Sequence, residues 1–190
     1  MNATNNDFII VAIEARRSCF GYAVFQGPMR LLDWGATTPY PLDGAIQRAK
    51  KRFLSLLLMF TPDVVVIRKP LNSKSRDPIR RLFKQETADR SMPMSLLAQD
   101  DIHRAFGTFC TKSKYEIAEA LTRVFPELID KLPPPRDIGD SERRAMFVFD
   151  AVATGYAYMK GKTTQVSTAE PGVNHSQRRE TLQPFRRPRR

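Results

Sequence analysis

Glu14 closes the apolar run Phe8-Ile9-Ile10-Val11-Ala12-Ile13, and its position invites a chemical question. A run of that length without a polar residue reads as a strand buried on both faces. Glu14 stands where such a strand leaves the core. There it is either a solvated strand-end carboxylate or an oxygen ligand for a divalent cation. Asp100-Asp101-x-His103 gathers two more carboxylates and an imidazole. Asp101 and His103 are two apart and so do not share a helical face. That cluster reads first as the cap of a short helix with His103 in solvent, and second as catalytic. Glu142, near the start of the last helix, is a further carboxylate. Cys19 follows Arg16 and Arg17, whose charges should lower its thiol pKa. It lacks a partner base in the sequence and reads as structural. Phe20 and Tyr22 could stack on bases, although Tyr22 reads better as core.

The charge of the chain narrows the partners. Its 190 residues carry 31 Lys and Arg against 20 Asp and Glu, a net charge of +11 with pI near 10.1. A polyanion is the simplest partner for that excess, because phosphate contacts release condensed counterions. The length suits one domain with a real core. No apolar run approaches the ~20 residues that span a bilayer, and residues 1–7 lack a secretory apolar region. Cys19 and Cys110 form neither a disulfide framework nor a metal-ligand spacing. The expected location is the cytoplasm or another intracellular compartment that holds nucleic acid. Residues 161–190 read as a disordered basic tail, with Arg178, Arg179 and a terminal Arg-Arg-Pro-Arg-Arg but little to bury. The tail either holds nucleic acid non-specifically or is solvated without a partner.

The elements that must position these groups follow from periodicity. Residues 8–13, 21–26 and 29–35 read as a three-strand meander turned at Gly27-Pro28. A helix from Asp43 to the stop at Pro62 should bury Ile46, Ala49, Phe53, Leu57 and Phe60. Val64-Val65-Val66-Ile67 then reads as a buried strand parallel to the first. A helix beginning near Pro78 has Ile79, Leu82 and Phe83 as its stripe. Ser95–Ala98 reads as a short strand and Asp100–Phe106 as a short helix. Ser113-x-x-Glu116 has the form of a capping box and should start a helix with Ile117, Leu121, Val124 and Phe125 inside. Pro133-Pro134-Pro135 forces an extended linker. The last helix should run from about Ser141 to Met159, apolar around most of its circumference.

From residue 8 to residue 159 the chain resembles the RuvC family of Holliday-junction resolvases, in the ribonuclease H-like superfamily. Four features carry the resemblance: Glu14 followed by Gly21-Tyr22-Ala23-Val24; Phe60-Thr61-Pro62-Asp63 before the fourth strand; Lys114 at a helix start after Gly107; and Phe147-Val148-Phe149-Asp150-Ala151-Val152-Ala153 in the last helix. The resemblance implies a single α/β domain over residues 1–160. Its mixed five-stranded sheet, three antiparallel strands and then two parallel, is flanked by helices. It also implies a homodimer and a place in DNA recombination or repair. The family holds two divalent ions on four carboxylates. Here Glu14 takes the place of the first, usually Asp. The second, usually Glu, falls on Arg68. The third, usually Asp, falls on Phe147, and the fourth is kept as Asp150. Arg68 should therefore lie between Glu14 and Asp150 and supply the positive charge of a metal, or else point to water and pair with nothing.

Three functions fit these residues. The leading one is a nucleic-acid-binding protein with a largely dismantled two-metal site. It would hold branched or duplex DNA, or RNA, by its phosphates. Arg16, Arg17, Lys69, Lys74, Arg76, Arg80, Arg81, Lys84, Lys112 and Lys114 would form its face. The second is an active endonuclease with Mg²⁺ or Mn²⁺ on Glu14 and Asp150 and on displaced carboxylates such as Asp101 or Glu142. The third is a structural or assembly protein docking on RNA, or on an acidic protein, through the tail.

Overall fold

The computed structural model describes residues 7–27, 30–38, 41–70, 77–109, 113–135 and 143–167. Lys74, Arg76, Cys110, Lys112, Glu142 and the tail from residue 168 lie outside the described residues, as does the Pro28 turn position.

Three antiparallel strands open the chain: β1 (Ile9–Ala15), β2 (Phe20–Gln26) and β3 (Arg30–Ala36). Helix α1 (Ala45–Phe60) leads to β4 (Val64–Arg68), parallel to β1. Helix α2 (Pro78–Ala88) leads to β5 (Met94–Leu97), parallel to β4. Three α-helices follow, α3 (Gln99–Ala105), α4 (Lys114–Val124) and α5 (Ala145–Ser167), with short 3₁₀ turns at Gly107–Phe109 and Pro126–Lys131. The sheet order is β3-β2-β1-β4-β5, so the apolar runs of β1 and β4 sit side by side at its centre.

The two faces of the sheet are covered by different helices, and the period of two assigns every central residue to one of them. Val11, Ile13, Val65 and Ile67 pack with Ala49 and Phe53 of α1 and Ile79 and Phe83 of α2. Ile10, Ala12, Val64 and Val66 face α3, α4 and α5, in a core that includes Phe106, Leu121, Phe149 and Val152. Two glycines let α5 lie directly on the sheet. A Cβ on Gly21 would overlap the Phe147 carbonyl, and one on Gly155 would overlap the Phe25 ring. Here the backbone must approach closely, which only glycine permits.

Several expected boundaries move. Glu14 and Ala15 belong to β1 and not to a loop beyond it, because their backbones pair with Gly21 and Phe20. Helix α1 buries Ala45, Ala49, Phe53, Leu56 and Leu57. Ile46 is 44% exposed and Phe60 is only partly buried, so the expected face is rotated. Both stripes satisfy helical spacing, and only the sheet beneath decides between them. Helix α5 starts at Ala145 and continues to Ser167, eight residues past the expected end at Met159. The capping box holds: Ser113 Oγ accepts from Glu116 N at 3.2 Å, and Glu116 Oε2 accepts from Ser113 N at 2.9 Å.

Candidate functional site

Parity brings the site together. Ile10, Ala12 and Glu14 point to the α5 face of β1, and Val64, Val66 and Arg68 to the same face of β4. The parallel register pairs Ala12 with Val66 and Ile13 with Ile67, so its next step sets Glu14 beside Arg68. Helix α5 crosses that face and contributes Asp150 one turn from its start. Three charged residues therefore meet in a place where each is less than a tenth exposed.

Arg68 stands between the two carboxylates. Its Nη1 lies 3.7 Å from Glu14 Oε2 and 3.5 Å from Asp150 Oδ1. Two more cations close the cluster. Arg16 Nη2 donates to Asp150 Oδ2 at 2.9 Å and lies 3.3 Å from Glu14 Oε1. Lys114 Nζ donates to the same Asp150 Oδ2 at 2.9 Å. The turn between β1 and β2 aims Arg16, with its N–H on the Cys19 carbonyl at 2.9 Å. The capped start of α4 aims Lys114. Arg16 also lies over the Phe147 ring, 5.0 Å from its centroid. That aromatic face attracts the guanidinium.

Glu14 is the strained member. Burial is the largest cause lifting its pKa above the usual glutamate value, and the neighbouring Asp150 charge adds to it. Arg68, Arg16 and Lys114 pull the other way without cancelling the rise. Its Oε2 is buried and accepts no hydrogen bond. The Cys19 thiol is also pushed up, contrary to the expectation from Arg16 and Arg17. Its burial outweighs the nearby Arg16 and Arg144 charges.

In front of the cluster opens a cleft of about 320 Å³, lined among others by Glu14, Arg16, Arg17, Arg68, Lys69, Asp77, Arg80 and Lys114. Cations outnumber carboxylates on its walls. Asp77 is occupied as the N-cap of α2, accepting from Ile79 N at 3.1 Å and Arg80 N at 3.3 Å. The cleft thus gathers five of the ten cations expected on a phosphate-binding face: Arg16, Arg17, Lys69, Arg80 and Lys114. It does not gather Arg81 and Lys84, which are exposed on α2 and do not line it. Arg16 and Lys114 have a double position, on the cleft wall and on the Asp150 carboxylate. Sequence reasoning did not give that contact with Asp150. The cation-rich turn at residues 16–17 and the capped Lys114 were its only signals.

The second carboxylate group stays apart. Asp101 Oδ2 accepts from Ala98 N at 3.2 Å and Oδ1 from Arg104 at 3.0 Å, which is the work of a helix cap. His103 meets Gln99 at 2.6 Å on the exposed side of α3. Among the described residues, no three carboxylate, imidazole or thiol groups come close enough to share an ion.

No protein-family model matches the sequence, and neither does any curated protein. Solved structures do resemble it. The Thermus thermophilus RuvC structure aligns over 83% of this chain and 97% of its own, with TM-score 0.59 and 14% identity. The T. thermophilus RuvC in complex with Holliday junction substrate gives TM-score 0.60 at 15% identity, over 82% of this chain and 96% of that one. The yeast mitochondrial Holliday junction resolvase gives TM-score 0.54 at 14% identity, over 87% and 82%. The fold is that of the resolvase-type, ribonuclease H-like proteins.

Proposed function

We propose that this protein binds nucleic acid, branched or duplex DNA first, by its phosphates in the cationic cleft at the ends of β1 and β4, with little or no metal-dependent cleavage. The observation that carries the reading is Arg68, held between Glu14 and Asp150. Solved structures of the same fold include a RuvC with a Holliday junction substrate, which supports DNA as the polyanion.

The residues present do not fit a divalent cation. Mg²⁺ wants oxygens in an octahedral shell. Here Glu14 and Asp150 offer oxygens, while Arg68 sits between them with a fixed positive charge and Phe147 presents a ring. A guanidinium can offset carboxylate charge and meet a phosphate bidentately. It cannot lower the pKa of water to make hydroxide. Charge balance in this cluster is met by Arg68, Arg16 and Lys114, and on this reading the cations lining the cleft in front of it would meet backbone phosphates.

On this reading a second copy of the chain joins to meet a junction symmetrically. Size-exclusion with light scattering reads that directly. A junction preference would place the protein in DNA recombination or repair, inside a compartment that holds nucleic acid. The basic tail adds affinity without specificity. Removing residues 168–190 should weaken binding to all duplexes alike and flatten the slope of affinity against salt. An unchanged slope would rule the tail out.

The deciding experiment is cleavage of a four-way junction and a duplex with Mg²⁺ and Mn²⁺, beside binding in the absence of metal. Binding without turnover is expected. Turnover by the natural chain that vanishes in Asp150→Asn would establish an endonuclease instead.

A further inference from the structure

The cationic cleft has a neighbour. A second cavity, of about 200 Å³, shares Lys114 with it and is lined also by Tyr115, Pro133, Pro134, Arg143 and Met146. Its position follows from three pieces of chain. The start of α4 supplies Lys114 and Tyr115, the proline linker supplies Pro133 and Pro134, and the entry to α5 supplies Arg143 and Met146.

The walls combine an aromatic ring and apolar side chains with positive charge. Tyr115 is half-buried, and among the described residues its ring packs on no other aromatic ring. Met146 and Pro133 are buried and form the floor, while Arg143 is exposed at the rim. The lining includes two cations and no carboxylate. Pockets for drug-sized ligands begin at about 300 Å³, so this one takes a smaller ring system.

We propose that this cavity holds a single unpaired nucleobase, stacked on Tyr115, from a strand whose phosphate lies in the cationic cleft. The proposal rests on the reading of that cleft as a phosphate site and names what it prefers. Phosphate and base are neighbours on one nucleotide, and Lys114 is a wall common to the two cavities. Arg143 at the rim is placed for the next phosphate along. A paired base is locked in its stack and must pay unpairing energy to enter, whereas a bulged or single-stranded base pays little. Nucleic acid with an unpaired base should therefore bind more tightly than perfect duplex.

The test uses the full chain and two DNAs without added metal. One is a fully paired duplex. The other is the same duplex with a single-nucleotide bulge of 2-aminopurine, whose fluorescence reports stacking. The bulged DNA should bind about tenfold tighter, the scale of one base stacked on an aromatic side chain, with a change in its fluorescence on binding. Tyr115→Ala should abolish that ratio and the fluorescence change, and Tyr115→Phe should keep both. Arg143→Ala, at an exposed position, should reduce the ratio several-fold and keeps the test available if Tyr115→Ala unfolds. Equal affinity for the two DNAs, or a ratio that survives both Tyr115→Ala and Arg143→Ala, would overturn the proposal while leaving the phosphate cleft standing. Tyr115→Ala weakening both DNAs in equal proportion would make Tyr115 a support for Lys114 and would overturn it too. Failure to bind either DNA would refute the cleft reading itself and the base site with it.

Discussion

Glu14 and Glu86 are each 5% exposed and each faces several cations, yet their carboxyls are displaced in opposite directions. Glu86 lies on α2, on the far side of the sheet from α5. Lys50 of α1 meets its Oε1 at 2.6 Å and Arg90 its Oε2 at 2.7 Å. Each oxygen has its own hydrogen-bonding partner, and both cations keep about two-fifths of their side-chain surface in water. The Lys50 hydrogen bond is the largest cause holding this carboxyl below the usual glutamate value. At Glu14 the cations stand off at 3.3 and 3.7 Å, and Asp150 competes for them. Counting charges would rank Glu14 as the better paired of the two. Geometry reverses the order, because a charge-assisted hydrogen bond to a hydrated cation stabilises a carboxylate and a distant shared guanidinium does not repay desolvation. Glu86 braces α1 against α2. Glu14 is held against its own solvation, a condition that clusters at functional sites.

The sharpest way to break this comparison is to remove the central cation on one side and its counterpart on the other. Arg68→Ala leaves Glu14 and Asp150 to share Arg16 in a buried place with little access to water, and should cost about 3 kcal/mol in urea unfolding. Lys50→Ala should cost far less, because Arg90 remains on Glu86 and both groups can rehydrate. Equal losses would show that the two clusters do the same structural work.

A smaller effect tests the scaffold behind Asp150. Gly21→Ala forces α5 away from β2 at Phe147, one turn before Asp150, and should cost about 1–3 kcal/mol as overpacking does. It should also weaken DNA binding by loosening the Lys114–Asp150 and Arg16–Asp150 contacts. Retention of full affinity would show that the cleft tolerates movement of α5.

The smallest effects lie in the pH dependence, where the two glutamates have opposite signs. A raised folded pKa contributes stability that is present below the unfolded value, about 4.5, and is lost as pH rises through the folded value. A lowered one contributes stability that is present above about 4.5 and lost as pH falls through the folded value. Glu14→Gln should therefore flatten the decline above pH about 4.5 and leave neutral-pH stability undiminished. Glu86→Gln should lower stability at neutral pH and blunt the acid sensitivity. Denaturant midpoints measured from pH 3 to pH 8 read both, and like-signed changes would remove the distinction drawn between them.

Local patterns were enough for the frame of the molecule. Two apolar runs, Phe8–Ile13 and Val64–Ile67, read as buried strands, and both form strands at the centre of the sheet. The Ser113–Glu116 box reads as a helix start, and it caps α4. With the family resemblance added, Glu14, Arg68 and Asp150 were expected at one place, and period-two alternation puts the first two on one face. What periodicity could not supply was phase and distance. The expected stripe on α1 had Ile46 inside, and the sheet chose Ala45 and Leu56 instead, since several faces of that helix are apolar enough. Arg16 and Lys114 read as solvent-facing phosphate contacts because their partner Asp150 lies 134 and 36 residues away. Such a contact has no local signature. The direction of the Cys19 shift was misread for the same reason, as its charged neighbours are visible in sequence and its burial is not. Sequence fixes which groups sit at strand ends and helix starts through short-range sterics and hydrogen bonding. Whether a carboxylate there meets a cation, another carboxylate or water is decided by long-range packing, here by α5 lying on Gly21 and carrying Asp150 over Arg68.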